Sequence, residues 1–114
     1  MDEPTVYTVV RRIEFDPGKD AANRRKHGCS FVDALALDWH ALAVIEDLRA
    51  DYGERRWRGM GLIGDRLHCV VFTIRDDAIR IISLRKANRR EIEAHHEATQ
   101  ARNPDGSDQA SQSS

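Results

Sequence analysis

The apolar and polar positions divide the chain into short pieces, most of them strand-like. Val6 to Phe15 is rich in β-branched and aromatic residues and reads as a strand. Asp16-Pro17 then opens a helix, with Asp as the N-cap acceptor and proline at the first helical position, where its missing N–H is no loss. Gly28 ends that helix behind Lys26 and His27, which suit a negative helix C-terminus. Ser30 caps a second helix, with Asp33 three residues on as a weak capping box. Its Phe31, Leu35 and Trp39 recur at helical spacing and are expected to face the core. Ala41 to Glu46 is short and apolar, a strand, and Asp47 to Glu54 is polar with a glycine, a loop. Trp57 to Ile63 is the next strand, in which Gly59 and Gly61 either weaken the pairing or let a neighbour approach closely. A hairpin turn at Gly64-Asp65-Arg66 leads to Leu67 to Ile74, apolar on both faces as a central strand should be. Asp76-Asp77 turns the chain into a strand over Ile79 to Leu84. A last helix begins at Ala87 or Asn88 and runs to about Gln100.

The order β-α-α-β-β-β-β-α, with tight turns between the closing strands, predicts an α+β domain. Its sheet should be mostly antiparallel, with the helices packed on it and grouped to one side. A chain of 114 residues fits one domain, expected over residues 1–100. Ala101 to Ser114 carries no apolar period and is expected to be a disordered polar tail. No signal-peptide pattern opens the chain, and no apolar run approaches the ~18 residues of a membrane span. The expectation is a cytoplasmic protein without membrane contact. Cys29 and Cys69 read as small buried or half-buried residues, in preference to a disulfide or a metal site.

Charge changes the picture. The whole chain is nearly neutral, at −1, yet Arg55 to Arg90 holds ten cations against only Asp65, Asp76 and Asp77. The compensating acids lie in Asp33 to Glu54, in the last helix and in the tail. A cationic face beside an acidic one suits an anionic ligand together with a charged protein partner, although a solvated Arg-rich surface gives the same count.

Candidate chemistry is sparse. There is no Gly-rich phosphate loop, no CxxC pair and no HExxH, and His95 and His96, adjacent on a helix, cannot chelate together. No metal and no other cofactor is expected. His40 ends a helix and reads as structural. His27 either caps its helix or takes part in function, and His68 is either a partner-satisfied histidine or an acid/base group. The run Glu54-Arg55-Arg56-Trp57-Arg58 is more specific. On a strand Arg56 and Arg58 share one face, and Arg55 and Trp57 the other. Arg beside an exposed aromatic holds RNA, the guanidinium taking phosphate and the ring taking a base; the competing reading puts Trp57 in the core. Arg80 alternates with Ile82 and Leu84, while Arg85 falls at the strand end beside Lys86. By strict parity Arg80 and Arg85 point to opposite faces, and they line one site only if the strand twists or breaks near Leu84.

Three stretches in this order, FDPGK…NRRKHGCSF, DYGERRWRGMGLIG and IRIISLRKANRREIE, resemble the BrnT toxins of bacterial BrnT–BrnA type II toxin–antitoxin pairs, over about Phe15 to Glu97. The N-terminal extension Met1 to Arg12 is longer than that family usually carries. His95-His96 stands where an aromatic is common. The resemblance implies a fold similar to the RelE-like ribonucleases and a small endoribonuclease that blocks translation and needs no metal, because RNA supplies its own nucleophile, the 2′-hydroxyl. It implies neutralisation by a BrnA-like ribbon-helix-helix antitoxin, through which alone the complex binds operator DNA, and an RNA substrate either free or on the ribosome. The protein then has to hold the backbone in line and stabilise the added charge on phosphorus. Arg85, Lys86, Arg80 and Arg56 are the candidates for that work, and Glu54, kept ionised by nearby arginines, for the base. Arg55, Trp57, Arg58 and Arg89 are candidates for RNA binding. The leaving-group proton has three possible donors, Lys86, His27 and His68. Two other classes stay open: a catalytically silent antitoxin-binding module acting only in operon regulation, and a plain RNA-binding domain.

Overall fold

The structure, a computed structural model, describes residues 12–102, without the side chains of residues 101 and 102. The expected strand before Arg12 and the expected tail beyond Arg102 lie outside the described residues. Strands β1 (Arg12–Glu14), β2 (Ala43–Glu46), β3 (Trp57–Ile63), β4 (Arg66–Arg75) and β5 (Ala78–Lys86) form one sheet in the order β1-β5-β4-β3-β2. All pairs are antiparallel except β1 with β5. Helix α1 (Pro17–His27) follows β1, two 3-10 segments (Phe31–Ala36 and Trp39–Ala41) lead to β2, and helix α2 (Arg89–Arg102) closes the described chain. This is the expected α+β class with a mostly antiparallel sheet.

The caps of α1 are those the sequence announces. Asp16 accepts a hydrogen bond from the Lys19 amide, Pro17 begins the helix, and Gly28 ends it at φ 76°. Two polar residues inside α1 fasten it. Buried Asp20 accepts from the Phe31 amide at 2.7 Å, fixing the start of the first 3-10 segment. Asn23 stands in for a strand. β1 covers β5 only from Ala78 to Arg80, and further along the Asn23 amide donates to the Leu84 carbonyl at 2.8 Å and accepts from the Leu84 N–H at 3.3 Å. The bare edge of β5 is thus satisfied by a side chain.

The segment after Ser30 departs from expectation. Ser30 and Asp33 do form a capping box, but the turns that follow are 3-10, not α. Three residues per turn place Phe31, Ala34 and Leu37 on one side instead of Phe31, Leu35 and Trp39. Phe31 and Ala34 are 0 % exposed while Leu35 is 66 % exposed. Trp39 still packs on the core, through an edge contact with Phe72 and a hydrogen bond from its indole N–H to the Ala34 carbonyl. The core lies between these segments and one sheet face, around Phe31, Val70, Phe72, Ile81 and Leu84. Gly59 and Gly61 are required by close approach: a Cβ on either would lie 2.6 Å from the Leu42 side chain. β4 is buried on both faces from Leu67 to Thr73, as a central strand.

Two further departures matter for function. The helices are not grouped to one side. The α2 residues Glu91, Ala94 and His95 share a groove with Arg58, Met60 and Cys69, on the sheet face opposite the core. And β5 does not stop at Leu84. It continues pairing with β4 through Arg85↔Cys69 and His68↔Lys86. Asn88 and Glu91 then cap α2 reciprocally, and the helix runs to Arg102, past the expected end at Gln100. Cys29 and Cys69 are free and buried, and burial raises the Cys69 thiol pKa, which leaves it inert.

A candidate nucleic-acid interface

A β-bulge sets the geometry of the site. Val71 pairs with Ser83 and Phe72 with Ile81, so Ile82 has no residue opposite. Before the bulge Arg80 faces Thr73, and after it Arg85 faces Cys69. Thr73 and Cys69 lie on the same face of unbroken β4, so the extra residue brings Arg80 and Arg85 to one side of the sheet, away from the core. The break occurs at Ile82, two residues before Leu84. Along β4 their partners lie four residues apart, about 13 Å of backbone at the usual rise. Lys86, next along, faces the other way and is exposed at the strand end.

The guanidinium groups on this face are held by acids. Arg85 makes a two-pronged pair with Glu91, both contacts at 2.8 Å, and Glu91 drops to a pKa of about 2, chiefly through that hydrogen bond. Arg80 pairs with Glu14 at 3.2 Å. Glu54 accepts from Arg75 at 3.0 Å and from Arg56 at 3.4 Å, and the Arg75 hydrogen bond holds its carboxyl below the usual range. Arg55 pairs with Glu46 and lies over the Trp57 ring, 5.1 Å from its centroid. Trp57 also stacks on Phe72, with ring centroids 6.1 Å apart. Trp57 is therefore a half-buried ring that packs against the core with the Arg55 guanidinium over it. Arg58 lines the groove beside Glu91 and Cys69, its buried Nε without a hydrogen-bond partner. Arg89 is exposed on the first turn of α2.

The loop before β3 is built to position Arg56. Asp47, its side chain almost fully buried, takes a two-pronged pair from Arg49 at 2.7 and 2.8 Å and a hydrogen bond from the Tyr52 hydroxyl. The Arg49 hydrogen bond pushes its carboxyl far below the ordinary carboxylate range. Tyr52, fixed in this way, lies under the Arg56 guanidinium at 4.2 Å. The Thr73 hydroxyl donates to the Arg55 carbonyl at 2.6 Å and ties the loop to β4.

Arg56 faces a cleft of about 310 Å³ between α1 and β5, lined also by Lys19, Lys26, His27 and Ser83. These α1 residues belong to the spacing Lys19, Lys26, His27, one helix face at i, i+7 and i+8. That periodicity was the available signal for Lys19 and Lys26, neither of which the sequence placed in the site. Among the described residues no acid pairs with either lysine. His27 is half-buried, and burial, then Lys26, then Arg85 lower its pKa. His68, by contrast, is buried and spends its Nδ1 on the Arg66 carbonyl at 2.9 Å. Among the described residues no group of three His, Cys, Asp or Glu side chains converges as a metal site needs, and no helix is long and apolar enough to cross a membrane.

A small α+β domain that gathers guanidinium, ammonium and imidazole groups around one open cleft is of the class that handles a polyanion. The chain belongs to the BrnT family: residues 15–91 match the family model for BrnT, the ribonuclease toxin of type II toxin–antitoxin systems. Such a toxin has an antitoxin as its partner. No curated protein matches the chain.

Proposed function

We propose that this protein is a RelE-like endoribonuclease that cuts RNA through the substrate's own 2′-hydroxyl, without metal, and stops translation in the cytoplasm. The observation that carries the reading is the bulge at Ile82, which turns Arg80 and Arg85 to one face of the sheet, beside the cation-lined cleft. The membership of a ribonuclease toxin family supports it. RNA cleavage of this kind needs only an in-line backbone, a group to take the 2′ proton and fixed positive charge at the phosphorane. Arg85 suits the last role. Glu91 holds its guanidinium still and leaves other N–H donors for a substrate. Glu54, held by two arginines and acidified, is a weak proton acceptor, and its role here is to position Arg56.

A BrnA-like ribbon-helix-helix antitoxin is the proposed partner, and operator DNA is bound only through it. Its docking segment has an apolar surface available. Ile45 and Leu48 are 59 % and 78 % exposed along and just beyond β2, the free edge of the sheet, beside the groove that α2 makes with β3. Ile45→Asp should weaken the complex while leaving RNA cleavage intact; an unchanged complex would move the contact elsewhere.

A second reading, a silent module that only binds antitoxin, draws on the same ion pairs, since most guanidiniums on the sheet are already paired. Expression of the chain alone separates the two. Growth arrest with loss of protein synthesis, and RNA fragments ending in 2′,3′-cyclic phosphate that form in the presence of a chelator, are expected. Normal growth with soluble, folded protein favours the silent module.

A further inference from the structure

We propose that the cleft between α1 and β5 is a phosphodiester-binding site in which Lys19, Lys26 and Arg56 hold the phosphate oxygens and His27 accepts the proton of the attacking 2′-hydroxyl. The chemical step rests on the ribonuclease reading above; the binding site does not.

Four observations converge on this cleft. It is lined by three cations from two separate elements, α1 and the loop before β3, around about 310 Å³ of open space. The two lysines have no acid partner among the described residues, whereas the sheet-borne Arg80 and Arg85 are both paired. Unpaired charges gathered round a concavity repel one another until an anion enters. The walls are fixed: Asp20 and Asn23 anchor α1 from below, and Tyr52 supports Arg56. His27 lies in the same cleft, and among the described residues no protein group hydrogen-bonds to its ring, so a nitrogen is free for substrate.

The charges that face His27 are Lys26 and Lys19 on its own helix, Arg85 on β5 and Arg56 across the cleft. All are positive and all favour the neutral imidazole, the form a base requires. The 2′ oxygen bonds to phosphorus as its proton passes to His27. The P–O5′ bond breaks with its electron pair on the 5′ oxygen, which takes a proton from water. The imidazolium then returns a proton to the hydroxide so formed. The products are a 2′,3′-cyclic phosphate and a 5′-hydroxyl.

The test uses the full chain and two probes, a single-stranded RNA and the same RNA made uncleavable by 2′-O-methylation. Lys19→Gln with Lys26→Gln should weaken binding of the uncleavable RNA. It should also lower the slope of log affinity against log salt by about 1.4, that is, roughly 0.7 for each lost phosphate contact. Arg25→Gln, a charge loss elsewhere on α1, should change neither. His27→Gln should bind normally, cleave about 10²–10⁴-fold more slowly and lose the acid limb of the pH–rate profile. Matching thermal unfolding curves guard against misfolding. Lysine variants that bind as the unaltered protein does overturn the site, even where the unaltered protein cuts RNA and so upholds the ribonuclease reading. His27→Gln cutting at the original rate overturns the base. An unaltered protein that binds RNA through the lysines and cuts none overturns the ribonuclease reading and the role of His27, and supports the phosphodiester site.

Discussion

The positive charge of the sheet and that of α1 differ in kind. On the sheet side each of Arg55, Arg56, Arg75, Arg80 and Arg85 is matched to a carboxylate. Pairing removes most of the long-range attraction of a cation, but it fixes the direction of the guanidinium. On α1, Lys19 and Lys26 carry flexible stems and no acid partner among the described residues. Free charge draws in a polyanion and makes binding salt-dependent, while fixed charge stabilises a transition state. Counting cations along a sequence cannot separate the two, because pairing is set by the fold.

The largest effect should come from the fixed side. Arg85→Ala is expected to slow cleavage about 10²–10³-fold, the worth of a preorganised donor at a developing oxyanion, with nearly unchanged affinity for uncleavable RNA. A variant that folds, binds and still cuts at the original rate would remove Arg85 from the chemistry and leave Arg80 as the better candidate on that face.

The next effect sharpens what holds Arg85. Glu91→Gln should destabilise the protein by about 1–2 kcal/mol, allowing for partial solvent screening, and slow cleavage less than Arg85→Ala does. The sign of the pH effect follows from the lowered pKa. Glu91 ordinarily titrates near 4.5 and titrates here at about 2. Its contribution is complete above about pH 4.5 and is lost as the pH falls towards 2. Acid unfolding curves of the two proteins should therefore converge over that window. Curves that stay parallel there would mean that Glu91 is not linked to folding.

Sequence legibility followed the range of the interaction. The caps of α1, the span Trp57 to Ile63, the turn at Gly64 and the burial of both cysteines were readable, because each rests on neighbouring residues or on alternation. The turn type after Ser30 was not readable. Phe31, Leu35 and Trp39 fit an α-helix, and only packing of Ala34 and Leu37 onto the sheet selects the 3-10 form. Arg80 and Arg85 looked divergent because parity assumes an unbroken strand, and the bulge at Ile82 is decided by pairing with β4. Trp57 beside arginines looked like a base-stacking site, but in the fold its ring stacks on Phe72, fifteen residues away, and lies under Arg55. The α1 lysines were passed over because two charges on a polar helix look like solvated surface until β5 and Arg56 close a cleft beside them.

Salt-dependent binding of uncleavable RNA tests the central contrast most directly, with charge-matched double variants on the two sides. Lys19→Gln with Lys26→Gln removes two free charges. Arg12→Gln with Arg75→Gln removes two paired ones, and leaves Glu14 to Arg80 and Glu54 to Arg56 so that neither acid is stranded. The salt slope should be lower by about 1.4 in the lysine variant and little changed in the arginine variant. Equal losses on both sides, or a larger loss from the arginines, would contradict it.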